Sequence, residues 1–124
     1  MDTEEHYGIC SAILQTEILF RDYFKRLLAT SKKDYKIWSK RLHRAEKKRD
    51  EFHGHGYEYE LFGYEYLSLM NSNVNLCKSR VSRLRKKITE YTAQLKKAEE
   101  EVAEAELLLE AETLLAKCRD QAPE

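Results

Sequence analysis

Eight cations, Lys32, Lys33, Lys36, Lys40, Arg41, Arg44, Lys47 and Lys48, fall within seventeen residues. Five more, Arg80, Arg83, Arg85, Lys86 and Lys87, fall within eight. Cations at that density bind anions: lipid headgroups, nucleic-acid phosphates, or the carboxylates of an acidic helix. The whole chain is nevertheless neutral, with 22 Lys/Arg and 22 Asp/Glu. Residues 21–51 carry +7 and residues 78–97 carry +7, against −7 over 98–124, −4 over 1–17 and −3 over 58–65. The chain therefore has two basic segments, an acidic C-terminal segment and a tyrosine/glutamate tip. Two basic segments brought side by side repel, so something negative belongs near them. Either a separate anionic partner or the acidic 98–112 segment of a second chain meets that need.

Other chemistry finds less support. His53 and His55 form an HGH pair with only Glu58 and Glu60 nearby, which reads as a plain polar turn ahead of a metal ligand pair; no metal site is expected. Cys10, Cys77 and Cys118 have no Cys-x-x-Cys or Cys/His spacing. An odd count in a chain without a secretory signal is expected to be reduced thiols. Asn75 and Arg83 have the separation seen in basic leucine zippers, but Val74, Cys77, Val81 and Leu84 run through this stretch on a packing stripe. A zipper's basic region is instead a polar helix free to enter the major groove. Nucleic acid is thus the weaker partner. No nucleophile sits beside a plausible base, and no glycine loop could cradle phosphate. No cofactor is implied, and the chain is expected not to be an enzyme.

The elements that position these cations are helices. Charged residues make up 35% of the chain, with 4 Gly and 1 Pro, the profile of long helices and coiled coils. From Leu67, alternating steps of three and four reach Met70, Val74, Cys77, Val81, Leu84, Ile88, Tyr91, Leu95, Ala98, Val102, Ala105 and Leu109. Each stop is apolar or aromatic, and the seam holds for six heptads. Such a stripe must be covered by another helix. Upstream, a looser ladder reads Ile9, Ile13, Phe20, Phe24, Leu27, Ser31, Tyr35, Trp38, Leu42, Ala45 and Phe52. It uses aromatics where the second seam uses Ala, Val or Cys, so large residues face small ones.

Residues 53–63 carry three of the four glycines and read as the turn. The expected architecture is all-α: one long antiparallel helical hairpin over 1–124, with helices at about 5–52 and 64–119 and a turn at about 53–63. Facing residues should then have numbers summing to roughly 109–116. At 1.5 Å per residue the first helix is ~70 Å long and the second ~80–90 Å. The surplus, about 108–119, is rich in leucine. Ile37, Leu14, Leu19 and Leu28 are expected to remain on open flanks. Both features predict a homodimer packing as a helical bundle, with Trp38, Leu84, Ile88, Leu95, Val102, Leu108, Leu109 and Leu115 as core or dimer residues. The tip aromatics Phe52, Tyr57, Tyr59, Phe62, Tyr64 and Tyr66 either close the hairpin end or meet a partner or membrane interface.

A basic, aromatic-rich helix (Tyr23, Tyr35, Trp38, RAEKKRDEF at 44–52), LFG at 61–63, and a helix reading RVSRLRKKITEYTAQLKKAEEEVAEAE from Arg80 resemble the last two helices of the BAR domain of sorting nexins. The resemblance covers roughly residues 7–106 and is one of pattern. It lacks the family's third helix and its lipid-binding PX domain. It implies a dimeric scaffold whose basic residues engage phosphoinositide-rich membranes in endosomal trafficking, peripheral on the cytoplasmic side. A coiled-coil protein–protein adaptor with no lipid role, its partner another helical protein, is the alternative. The longest apolar cluster near the N-terminus is broken by Glu17 and Arg21, so neither a signal peptide nor a transmembrane helix is expected.

Overall fold

The computed structural model describes backbone over residues 3–52 and 56–121, and side chains over 4–52 and 63–120. It is all-helical. Helix α1 spans Thr3–Phe52 and α2 spans Gly56–Gln121, and the two pack against each other as a helical hairpin. Glu4 and Glu5 lie in the first turn of α1, while Arg49 and Arg119 lie in the last turns of α1 and α2. Each placement opposes the helix dipole favourably. Contacts divide the chain into two units: Met1–Leu27 with Glu90–Glu124, and Leu28–Thr89.

In the Leu28–Thr89 unit the core is Ala45, Val74 and Cys77, with Trp38 and Leu42 packed against it. Val74 is fully buried. Small side chains on the α2 stripe admit the bulky Trp38 and Leu42 of α1, the large-against-small fit that lets two helices interlock. At the far end of this unit Phe52 stacks on Tyr66, with ring centroids 5.7 Å apart. In the other unit the buried residues of α2 are Ala98, Val102 and Ala105, and His6 Nδ1 lies 3.5 Å from Glu112 Oε1.

The α2 seam holds at every stop. All thirteen positions from Leu67 to Leu109 are buried or half-buried, and of the residues between them only Glu101 is not exposed. Gly63, four residues before Leu67, is also buried and extends the same stripe.

Four expectations need correction. Helix α2 begins at Gly56 and not near Tyr64, so Gly63 is helical; a lone glycine costs a helix only about 1 kcal/mol, which packing offsets. The register is different too. Phe52–Tyr66, Trp38–Arg80, Glu17–Glu101 and His6–Glu112 each sum to 118. Phe52 is level with Tyr66 and not with Gly56, where α2 starts ten residues earlier, so the level does not follow from counting back from the turn. Since His6 reaches Glu112, the surplus at the end of α2 is shorter than the expected 108–119.

The third correction concerns the start of α1. Ile9, Ile13 and Phe20 are 45–54% exposed. The inward line is instead Cys10, Leu14, Glu17, Arg21, Phe24, Leu28, Ser31, Tyr35, Trp38, Leu42, Ala45, Arg49 and Phe52, each buried or half-buried. This line keeps strict heptad steps throughout, continuous with Trp38 and Ala45, and the helix follows it even where it carries a charge. Fourth, Leu14 and Leu28 belong to this inward line and not to an open flank, whereas Leu19 and Ile37 are exposed. Among the core or dimer candidates, Val102 is buried and Trp38, Leu84, Ile88, Leu95 and Leu109 are half-buried. Leu108 and Leu115 remain 58% and 49% exposed, so neither is a core residue of this chain.

Candidate anion-binding surface

The charge asymmetry coincides with the division into units. Residues 28–89 carry fifteen Lys/Arg against seven Asp/Glu, net +8, and the remaining residues carry seven against fifteen, net −8. All thirteen basic candidates fall in the basic unit, and all are exposed. At the observed register, α1 residues 32–40 run level with α2 residues 78–86, so the two basic segments do lie side by side.

The thirteen do not share one face. Heptad position separates them into three groups, with Lys36, Arg44 and Arg83 on the outer side of their helices beside the outer lines named below. Arg41, Lys48, Arg80 and Lys87 border the seam on one side. Lys32 and Arg85 border it on the other. Lys33, Lys40 and Lys47 sit seven apart on the outer line of α1, with Lys86 on the outer line of α2.

On the first side the guanidinium carbons of Arg41 and Arg80 lie 4.6 and 4.2 Å from the centre of the Trp38 ring. A cation over an indole is held by the ring's quadrupole, worth about 0.5–1 kcal/mol at an exposed site. Stacking fixes the guanidinium plane while leaving N–H groups free for an oxyanion. Two like charges on one indole are a costly arrangement without a counter-anion. Among the described residues neither arginine pairs with a carboxylate; of the thirteen, only Lys47 does, to Glu51 at 3.9 Å.

On the second side Arg85 Nη2 donates to Tyr35 Oη at 3.3 Å, with the guanidinium 6.0 Å from the Tyr35 ring centre. This hydrogen bond and the arginine's charge hold the Tyr35 phenol below its usual range, because both favour the phenolate.

The acidic unit contains a site that counting apolar residues does not find. Glu17 stands on the inward line and meets Glu101 of α2. Their shared hydrogen bond, followed by burial and by like-charge repulsion, raises the Glu17 carboxyl above the ordinary carboxylate range. The Oε2 atom of Glu17 is buried and, among the described residues, has no hydrogen-bond partner of its own. A groove of about 270 Å³ opens beside the pair, lined by Phe20, Phe24, Gln94, Lys97 and Ala98 together with the two glutamates. Stepping back by sevens from Trp38 reaches Ser31, Phe24, Glu17 and Cys10, so the signal was present in the heptad count.

Among the described residues no group of three metal-donor side chains occurs, and no helix is long and apolar enough to cross a membrane. Cys10, Cys77 and Cys118 are free thiols. His53 and His55, and the side chains of Tyr57, Tyr59 and Phe62, lie outside the described residues. Comparison with protein-family models, with characterised proteins and with solved structures gives no match.

Proposed function

We propose that the chain is a non-enzymatic helical scaffold that pairs with a second copy and binds anionic membrane through its basic unit, in the manner of a BAR-like trafficking module. The observation that supports this most is the +8 unit whose thirteen exposed cations have, apart from Lys47, no described carboxylate to neutralise them. A polybasic surface near anionic lipid gains roughly 1 kcal/mol per cation within a Debye length. Lys33, Lys40 and Lys47, seven apart on the outer line of α1, form a single exposed row that suits a flat anionic surface. The natural setting is peripheral, on the cytoplasmic side of endosomal membranes. The second reading, a protein–protein adaptor whose basic unit receives an acidic helix, draws on the unpartnered Arg41 and Arg80.

Sedimentation with phosphatidylserine-containing vesicles tests the proposal. The protein should pellet at ~50 mM salt and be largely released at ~500 mM, because screening shortens the reach of exposed charge. A dimer that stays in the supernatant at low salt would leave only the adaptor reading.

A further inference from the structure

Helix α1 carries a second heptad line, one residue away from the buried one. Ile9, Ile13, Thr16, Phe20 and Tyr23 follow steps of four and three, and all are exposed. A helix with two adjacent apolar seams packs against two neighbours, and α2 accounts for only one of them. Leu108 and Leu115 border the seam of α2 on the same side, also exposed. The groove lined by Phe20, Gln94 and Glu101 places these bordering positions of both helices on one side of the acidic unit.

The basic unit shows the same feature with opposite charge. On α2 the line Tyr66, Leu69, Asn73, Leu76, Arg80 again follows steps of three and four, and every member is exposed. Arg41 and Arg80, both over Trp38, mark this side of the unit. Each unit thus has an open flank on this side of its seam. That of the acidic unit combines Ile13, Phe20 and Leu108 with Glu101 and Glu104. That of the basic unit combines Leu69 and Leu76 with Arg41 and Arg80.

We propose that the Ile13–Phe20 flank of the acidic unit docks onto the Leu69–Leu76 flank of the basic unit in a second copy of this chain. This rests on the self-association in the functional reading above and is independent of its membrane component. Charge selects the pairing. Acidic unit against acidic unit sets −8 beside −8, and basic against basic sets +8 beside +8, whereas acidic against basic is attractive. A two-fold axis relating the copies repeats the contact reciprocally. Chemistry at the flank agrees. The Glu17–Glu101 pair leaves Glu17 Oε2 buried and, among the described residues, without a hydrogen-bond partner of its own beside an open groove. The stacked Arg80 or Arg41 of the second copy is a donor of matching type for this carboxylate pair, since a guanidinium satisfies two carboxylate oxygens at once.

The experiment is a charge swap on the full chain, read by sedimentation velocity. One variant carries Glu101→Lys and Glu104→Lys; the other carries Arg41→Glu and Arg80→Glu. Each alone should dimerise at least about tenfold more weakly than the unsubstituted chain, as expected when close interfacial charges are made alike. Mixed one to one, they should form the heterodimer at close to the original affinity, because every charge contact is again between opposites. A variant that simply failed to fold could not be rescued by mixing. Phe20→Glu, at an exposed position, should also break the dimer with helicity unchanged. The proposal is overturned if the unsubstituted chain is monomeric, if either charge variant dimerises normally alone, or if the mixture does not recover. A stable dimer that ignores vesicles removes the membrane reading and leaves this one; a monomer that pellets with vesicles does the reverse.

Discussion

The two units use the same heptad packing and fill it with different chemistry. In the basic unit the inward line of α1 presents Trp38, Leu42 and Ala45 to Val74 and Cys77, a seam of aromatic and aliphatic groups. In the acidic unit the same line presents Cys10, Leu14, Glu17 and Arg21, and its apolar residues Ile9, Ile13 and Phe20 lie one position off, on the surface. In the first arrangement the bulky groups of the inward line are covered within the chain, although Leu69 and Leu76 beside the α2 seam are exposed. The second hides a carboxyl and exposes phenylalanine. A seam that hides charge and exposes apolar groups is short of a partner.

That contrast can be broken at its firmest point. Val74 is fully buried between Ala45, Cys77 and their neighbours, so Val74→Asp forces an unpaired carboxylate into the basic unit's core. A loss of about 3–5 kcal/mol is expected, the cost of a buried charge with no partner, read as a fall in the chemical-denaturation midpoint. A polar substitution on the exposed line of the acidic unit, such as Ile9→Gln, should change the stability of the isolated chain by less than about 0.5 kcal/mol. If Val74→Asp is as mild as Ile9→Gln, the two seams are not different in kind.

A smaller effect concerns the only tryptophan. Arg80→Gln removes one of two guanidinium groups from Trp38, and a loss of about 0.5–1 kcal/mol follows from the cation–π term. The emission of Trp38 should move as its ring becomes more hydrated. Because Trp38 lies in the basic unit, its fluorescence follows that unit, while far-ultraviolet circular dichroism follows both. An unchanged emission spectrum in Arg80→Gln would mean that the guanidinium does not rest on the ring in solution.

The hairpin was legible because a seven-residue repeat of apolar residues has one explanation in a water-soluble helix. Every stop from Leu67 to Leu109 is covered, as that argument requires. The start of α1 was harder because two ladders one residue apart both look plausible: the more apolar one, through Ile13 and Phe20, is the exposed one. Residue type pointed one way and strict periodicity the other, and periodicity prevailed, since a helix cannot change its buried face without a break. The register was out of reach for another reason. It depends on which side chains interlock along the seam, and the ends of the turn do not give that. For the candidate surface, the thirteen cations were evident as a cluster, but their division among three sides needed the seam assigned first. The Glu17–Glu101 pair needed the register as well.

The smallest expected effect is a pH dependence centred on Glu17. Its carboxyl is raised by the hydrogen bond to Glu101, by burial and by the like charge of its neighbour. Lys97 and Gln94 line the same groove, and Lys97 is the only opposite charge there. A carboxyl whose folded-state pKa lies above its unfolded value binds protons more readily when folded. The ionised pair therefore opposes folding at neutral pH, and the penalty is relieved as pH falls through the raised folded-state pKa. The acidic unit should gain stability on mild acidification, over a window just above the ordinary glutamate range. Glu17→Gln, which cannot ionise, should be the more stable chain at pH 7 and should lose that acid-side gain. Denaturation midpoints from about pH 4 to 8 decide the matter. A Glu17→Gln profile parallel to that of the unsubstituted chain would show that the two carboxyls do not meet. The acidic seam would then be as settled as the basic one, and the reason to expect a partner at its edge would be gone.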